Sequence, residues 1–376
     1  MSVIISLLLW LTLVFSSFAF NVSAKEKNQL QFNKDGKFTI LNFSDIQDKI
    51  PTKQITLDLI KDTLDRVNPD LVVLTGDNIA GHRTKTKLMS ELAIRKYMDI
   101  FEDYGVNVAM VFGNHDDDGN NEATKEYQME IYESYDNFVG YDEGDALSYC
   151  GTYNLPIISS DGKKVAFNIW MTDSGTYNDE NDLGGYGCVH KDQIEWYKKT
   201  SDELKKENGG NPVYSINFQH IVVPEIWDAL VKNEDGTYSL PEGAAGELNE
   251  DPCPPKYTNG QFDAFIEQGD VLATVSGHDH VNNYVVNYKG IQIINTPGVG
   301  FRSYHNHCVG SRVFVIDEND PIAFETYCLS YSDIYPETDK AAQYRYEIHN
   351  EDNDTLAVIT AVFNYIFALI EGIFVK

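Results

Sequence analysis

Two imidazoles two positions apart, His278 and His280, stand in Ser276-Gly277-His278-Asp279-His280, directly after the apolar run Val271-Leu272-Ala273-Thr274-Val275. That run reads as a buried strand. On extended backbone, side chains at i and i+2 leave the same side, and Gly277 lets the chain turn tightly where the strand ends. Two neutral imidazoles so placed form half of a metal site. By themselves they read equally well as solvated histidines on a surface strand. Four other stretches bear on the choice: Ser44-Asp45-Ile46-Gln47, Thr75-Gly76-Asp77-Asn78, Gly113-Asn114-His115-Asp116 and Gln219-His220. Pooled, the candidate ligands are Asp45, Gln47, Asp77, Asn114, His220, His278 and His280. Carboxylates, amide oxygens and imidazoles together suit Mn, Fe or Zn better than Ca or Mg, which prefer all-oxygen shells. Two metals about 3.5–4 Å apart need a carboxylate between them, and Asp77 is the natural bridge.

The elements that must position these groups read as an alternation. Phe38–Phe43 is a strand ending at Asp45. The helix over Thr52–Val67 has apolar residues at 55, 59, 60, 64 and 67 and stops at Asn68-Pro69. Leu71–Leu74 is a buried strand ending at Asp77, Lys85–Tyr104 a second helix, and Val108–Phe112 a third strand ending at Asn114. This is βαβαβ, which implies parallel strands and right-handed crossovers. In open α/β sheets, ligands sit at the carboxyl ends of the strands, so Asp45, Asp77 and Asn114 converge. Any one of them could instead be a helix cap. Three in register, followed by His115 and Asp116, favour a site.

Further on, a helix is expected over Asn121–Ser134, strands over Leu147–Ile158 and Lys164–Met171, a helix over Asp192–Asn208 closed by Gly209-Gly210, and a strand over Val213–Phe218 that ends at His220. Residues 178–187 form an acidic, Gly-rich loop, and 232–260 a polar surface insertion. A short helix, Gln261–Glu267, leads into the strand before His278. Strands follow over Tyr284–Tyr288, Ile291–Asn295, Arg312–Asp317 and Ala323–Cys328. In the Gly-rich loop Gly298–His305, Arg302 could reach a substrate phosphate or simply be solvated on a turn. His305 and His307 stand near the site or do nothing, and His82, His190 and His349 read as ordinary loop histidines. The sequon at Asn42 lies in a core strand, so Asn353 is the better glycan acceptor.

Length and composition bound the rest. The chain has 376 residues, an apolar fraction of 42% and a net charge of −29. Such acidity argues against general binding of nucleic acid or anionic membranes. The apolar Val3–Phe20 followed by Val22-Ser23-Ala24 reads as a signal peptide over 1–24, with an uncleaved anchor as the alternative, and thus a secreted or lumenal protein. The main domain then spans 25–345. Residues 346–376 hold an acidic linker and an apolar helix over 355–375, which packs on the domain, lies at a membrane interface or anchors in one. The five cysteines could form one or two disulfides or remain buried thiols.

In their order, Asp45-x-Gln47, Gly76-Asp77, Gly113-Asn114-His115-Asp116, His220 and Gly277-His278-Asp279-His280 resemble the calcineurin-like metallophosphoesterase superfamily. Gly185-Tyr186-Gly187, Gln193–Tyr197 and His220–Glu225 are similar to its Dcr2-like, purple-acid-phosphatase-related subgroup. The resemblance covers roughly 36 to 330 and implies a four-layer α/β/β/α sandwich, two mixed sheets flanked by helices, with a dinuclear site of two divalent transition metal ions. It places one metal on Asp45, Asp77 and His280, with Gln47 where a histidine is usual. It places the other on Asp77, Asn114, His220 and His278. It further implies hydrolysis of a phosphomonoester or phosphodiester, in a small molecule or phosphoprotein, by a hydroxide held between the metals. His115 would be the general acid, oriented by Asp116, and residues 178–187, 232–260 and 298–307 would line the pocket. The alternative is a non-catalytic surface-binding protein on a decayed phosphoesterase scaffold, which Gln47 supports. Purple acid phosphatases carry a metal-binding tyrosine three residues after the bridging aspartate. Here that residue is Ala80, so iron-loaded protein is expected to show no visible charge-transfer band; an absorption spectrum with such a band would contradict this.

Overall fold

The computed structural model describes residues 28–347. The expected signal segment, the apolar tail, His349 and Asn353 lie outside the described residues. Among these residues no helix is long and apolar enough to cross a membrane.

The chain opens with a short strand, β1 (Leu30–Gln31), then β2 (Lys37–Phe43), α1 (Gln54–Val67), β3 (Leu71–Thr75), α2 (Lys87–Asp103) and β4 (Asn107–Val111). These follow the expected alternation, and β2, β3 and β4 are parallel neighbours. The helices stop and start on local chemistry. Asn68, at φ +48, ends α1 before Pro69. The Thr86 and Thr124 side chains accept the N–H groups of Met89 and Tyr127 at the starts of α2 and α3 (Lys125–Glu133). Next come β5 (Tyr153–Ile158), β6 (Val165–Met171), α4 (Lys191–Glu207), β7 (Ser215–Phe218) and α5 (Ile226–Ala229). A small hairpin, β8 (Val231–Lys232) with β9 (Tyr238–Ser239), begins the polar insertion. Then follow α6 (Gln261–Gln268), β10 (Val271–Ser276), β11 (Val285–Tyr288), β12 (Ile291–Asn295), β13 (Gly310–Asp317), β14 (Glu325–Ser330), α7 (Tyr331–Ile334) and α8 (Lys340–Glu347).

Two strand expectations are corrected. Residues 147–152 are not strand: Tyr149 and Gly151 have φ of +63 and +83, and the ladder begins only at Tyr153. Residues 321–323 form a 3₁₀ turn at Pro321, so the last strand starts at Glu325.

The strands form a five-stranded sheet, β14-β13-β2-β3-β4, and a seven-stranded sheet, β1-β5-β6-β7-β10-β12-β11. The period-2 alternation of each strand fills two layers at once. Phe38, Ile40, Leu71, Val73, Ala109 and Val111 face Phe167, Ile169, Ile216, Phe218, Ala273 and Val275 between the sheets. Leu41, Phe43, Val72 and Leu74 face the outer helices α1, α2 and α3, while α4 and α6 cover the other sheet through Ile194, Tyr197, Phe262 and Phe265. The result is the four-layer α/β/β/α sandwich.

At the carboxyl ends of the strands the two sheets are bolted by polar groups. The Thr296 hydroxyl donates to Asn42 Oδ1 at 2.5 Å, and Asn42 Nδ2 donates to Val73 O and Thr75 Oγ1. Asn42 is fully buried, which rules its sequon out as an acceptor in the folded chain. All five cysteines are unbridged; Cys150, Cys188 and Cys308 are buried thiols, whereas Cys328 is half-buried and Cys253 exposed.

A buried ion pair locks α3 to the loop after β6. Lys125 Nζ lies 3.1 and 3.3 Å from the two oxygens of Asp173, whose side chain is wholly buried. Removing one partner strands the other's charge in the interior. Lys125→Met is therefore expected to lower unfolding free energy by about 3–5 kcal/mol in urea denaturation, and a loss below ~1 kcal/mol would show that water reaches Asp173.

Candidate metal centre

Five strand ends meet in one place. The five-stranded sheet delivers Asp45, Asp77 and Asn114 from the ends of β2, β3 and β4. The seven-stranded sheet delivers His220 from β7, and His278 and His280 from β10. All six are buried. Asp45, Gln47, Asp77 and His278 have φ of +52, +39, +49 and +70, a region that costs an ordinary side chain about 1 kcal/mol or more. Backbone bonds hold them there: Asp45 N donates to Gly76 O, Gln47 N to Asp77 O, and Gly277 N to His220 O.

The histidine pair is therefore not a same-side pair on a strand. β10 ends at Ser276, and the left-handed turn at His278 sends the two imidazoles to different partners. The turn falls on His278, whereas Gly277 is required for space. A Cβ on it would lie 1.7 Å from Ser44 Oγ and 2.7 Å from Asp45 Oδ2. Gly113 is similar, since its Cβ would stand 2.2 Å from Asp77 Oδ1.

The donors form two sets, Asp77 with His220 and His278, and Asp45 with Asp77 and His280, each set with its ligand atoms within 4.8 Å of one another. Asp77 belongs to both. Its Oδ2 lies 3.3 Å from His220 Nε2, and its Oδ1 accepts the His115 N–H at 2.7 Å. His220 Nδ1 donates to Thr75 O at 2.8 Å and His280 Nδ1 to Tyr304 O at 3.2 Å. Those bonds place the proton on Nδ1 in each neutral ring. Nε2 of His220 then points a lone pair at Asp77 and at Asn114 Oδ1, 3.1 Å away, while Nε2 of His280 points one at Asp45 Oδ1, 3.2 Å away. Lone pair against lone pair is reconciled by a cation. Asp45 Oδ1, Gln47 Oε1 and His278 Nε2 are also buried without a hydrogen-bond partner. The donor set thus fits two divalent ions sharing Asp77. Gln47 stands beside it, with Nε2 3.5 Å from Asp77 Oδ2.

With no ion bound, the same conflict is met by a proton on His220. Burial opposes charge on His220, yet the Asp77 carboxylate overrides it and pushes His220 up to about 9. Burial, then the neighbouring His220, push His278 down to about 3. Burial works to raise Asp77 and Asp45, but the imidazoles hold both below the usual carboxylate range, His220 foremost at Asp77 and His280 at Asp45.

Three expected readings are corrected. The carboxylate against His115 is not Asp116 but Asp118, whose Oδ2 lies 2.6 Å from His115 Nδ1. Asp116 turns inward and accepts the N–H groups of Gly113 and Ile79; burial, then the Asp77 charge, push it up to about 7. Asp118 also accepts the backbone N–H of His82, and Arg83 Nε donates to His82 Nε2. His82 is thus part of the site wall and not an incidental loop residue. Arg302 is not offered to solvent on a turn: its Nε is paired with Asp48 and it donates to Pro51 O.

The pocket over the centre has a volume of about 300 Å³. Its walls include Tyr186, Cys253 and Tyr304, one from each of the three segments expected to line it, together with His82, Arg83, His115 and Arg302. The Tyr186 ring meets His278 edge-on at 4.3 Å, and Tyr304 stacks on His280 at 4.3 Å. Asp279 belongs to neither ligand set and accepts the Cys253 N–H, tying the insertion to the histidine motif.

A family model described as calcineurin-like phosphoesterase matches residues 38–282. An Arabidopsis thaliana protein named probable inactive purple acid phosphatase 14 is 27% identical over 327 residues, covering 77% of this chain and 77% of its own. The Saccharomyces cerevisiae phosphatase DCR2 is 28% identical over 278 residues, covering 68% of this chain and 46% of its own. A solved dimetal phosphatase of Danio rerio aligns at 16% identity and a TM-score of 0.46, over 78% of this chain and 99% of that one.

Gly277→Ala is expected to push the Ser44 hydroxyl and the Asp45 carboxylate aside and weaken Zn²⁺ or Mn²⁺ binding roughly 10–100-fold in isothermal titration. Unchanged affinity would mean that Asp45 is not needed where it stands.

Proposed function

Because the chain belongs to the calcineurin-like phosphoesterase family, we propose that it is a phosphohydrolase. Its substrate is a phosphomonoester or phosphodiester, carried by a small molecule or a phosphoprotein. The observation that supports this most is the pair of ligand sets sharing one buried carboxylate, Asp77, at the floor of an open pocket. Asp45, Asp77 and His280 would hold one divalent ion and Asp77, Asn114, His220 and His278 the other, with Gln47 beside the first. Ions bound there would activate water and neutralise phosphoryl oxygens.

The chain's own groups do the rest. The Thr75 and Tyr304 carbonyls orient two imidazoles with Nε2 inward. His115 lines the pocket, partly exposed, and its Nδ1 is engaged by Asp118. That leaves Nε2 to deliver a proton to the leaving oxygen. Arg302 lines the pocket wall where an ester would enter, fixed there by Asp48, whose carboxylate balances its charge. With its apolar N-terminal segment, we place this work in the secretory pathway.

A second reading, a binding protein without turnover, draws on Gln47 and on the words "probable inactive" in the name of the Arabidopsis thaliana relative. The two are separated by experiment. For a hydrolase, metal analysis should find close to two transition-metal ions per chain. Asp77→Ala and His278→Ala should each lower turnover of p-nitrophenyl phosphate by roughly 100-fold or more, since even groups behind metal ligands are worth 10–100-fold. His115→Asn should slow an alkyl phosphate, whose leaving group needs a proton, far more than the nitrophenyl ester. Folded variants with wild-type turnover, or purified protein binding no metal, would refute the enzyme.

A further inference from the structure

A second cluster of metal-binding side chains lies apart from the pocket floor, where the insertion meets the loop before β13. Glu247 comes from the insertion, and His307 and Cys308 from the loop. Their ligand atoms converge. His307 Nε2 is 2.8 Å from Glu247 Oε2, Cys308 Sγ is 3.5 Å from His307 Nε2, and Cys308 Sγ is 3.6 Å from Glu247 Oε2. We infer that Glu247, His307 and Cys308 form a separate zinc site, with one position left to water, that staples the insertion to the loop.

The geometry is that of one face of a tetrahedron. With Zn–S near 2.3 Å and Zn–N and Zn–O near 2.0–2.2 Å, such a face has edges of about 3.3–3.6 Å. The two edges at sulfur already match. The third must open by roughly 0.5 Å, which two exposed side chains can do; His307 and Glu247 are 66% and 49% exposed, whereas Cys308 is buried. One thiolate, one imidazole and one carboxylate are ligands for a borderline-soft ion, unlike the sulfur-free pocket sets.

The sulfur already serves as an acceptor. Two side-chain amides donate to it, Asn283 Nδ2 at 3.4 Å and Asn249 Nδ2 at 3.6 Å. Donors aimed at an acceptor favour its charged form. Burial, then the Glu247 charge, push the thiol up to about 12, a repulsion that a cation between the two groups would turn into shared coordination. The loop is shaped for the purpose: Asn306 Oδ1 accepts the Cys308 N–H in a tight turn that presents His307 and Cys308 side by side. The staple also bears on the pocket. Two of the elements it joins carry Glu250 and Tyr304, whose hydroxyl donates to Glu250 at 3.0 Å and whose carbonyl orients His280.

Cobalt(II) titration of the purified full chain tests the site, because only a thiolate ligand gives a near-ultraviolet sulfur-to-cobalt charge-transfer band. The wild type should show the band, Cys308→Ser should lose it, and Cys253→Ser, altering the pocket thiol, should keep it. His307→Ala, at an exposed position that the fold tolerates, should weaken the cobalt affinity read from this band at least tenfold. No band in the wild type, a band that survives Cys308→Ser, or unchanged affinity in His307→Ala would overturn the inference.

Discussion

The carboxylate of Asp77 is the point on which this molecule depends. It is fully buried, a few ångströms from the equally buried Asp45, and an isolated ionised carboxylate in such a place is very costly. What makes it tolerable comes from outside its own sheet. His220 and His278, and His280 through Asp45, arrive from the seven-stranded sheet, while backbone N–H groups such as that of His115 supply hydrogen bonds. The site and the docking of the two sheets are thus one arrangement. Moving either sheet would part the carboxylates from the imidazoles that face them.

The fold fixes that docking close to the site. The apolar faces between the sheets set the spacing, and the Asn42–Thr296 contact and the Lys125–Asp173 pair set the register at the ends that matter. Four site residues sit in left-handed backbone, where they would not remain on their own. Glycine appears where two loops must touch: Gly113 against Asp77, and Gly277 against Ser44 and Asp45. Backbone strain and missing Cβ atoms are concentrated where the ligand side chains need a direction that a regular strand end does not provide.

Above this rigid floor the walls come from three loops of separate origin. The insertion is anchored to the histidine motif through Asp279 and Cys253, and to the loop before β13 through Glu250, Glu247 and their partners. His115, Asp118, His82 and Arg83 form a connected polar chain in the wall. On the proposed function, the floor would provide the chemistry common to phosphate esters, and the walls would select among them.

The alternation of strands and helices, the convergence of Asp45, Asp77 and Asn114, and the residue types gathered at the centre were legible in the sequence. Each depends on a local rule: a two-residue or helical period, a strand that must end, a residue type with one chemistry. Asp118 was not legible. Three aspartates follow His115 in a row, and which one reaches back is decided by Gly113 and Ile79, whose N–H groups claim Asp116 and turn it inward. Arg302 could not be placed, because its partner Asp48 lies 254 residues away in the chain. His82 looked incidental, because nothing local tells of a carboxylate brought to it by another loop. The sequence alone determined which groups this protein has and where its strands end, since those depend on neighbours within a few residues. Tertiary structure alone decided which imidazole meets which carboxylate and which groups face the pocket. Those contacts join two sheets whose residues are far apart in the chain, and only their packing brings them together.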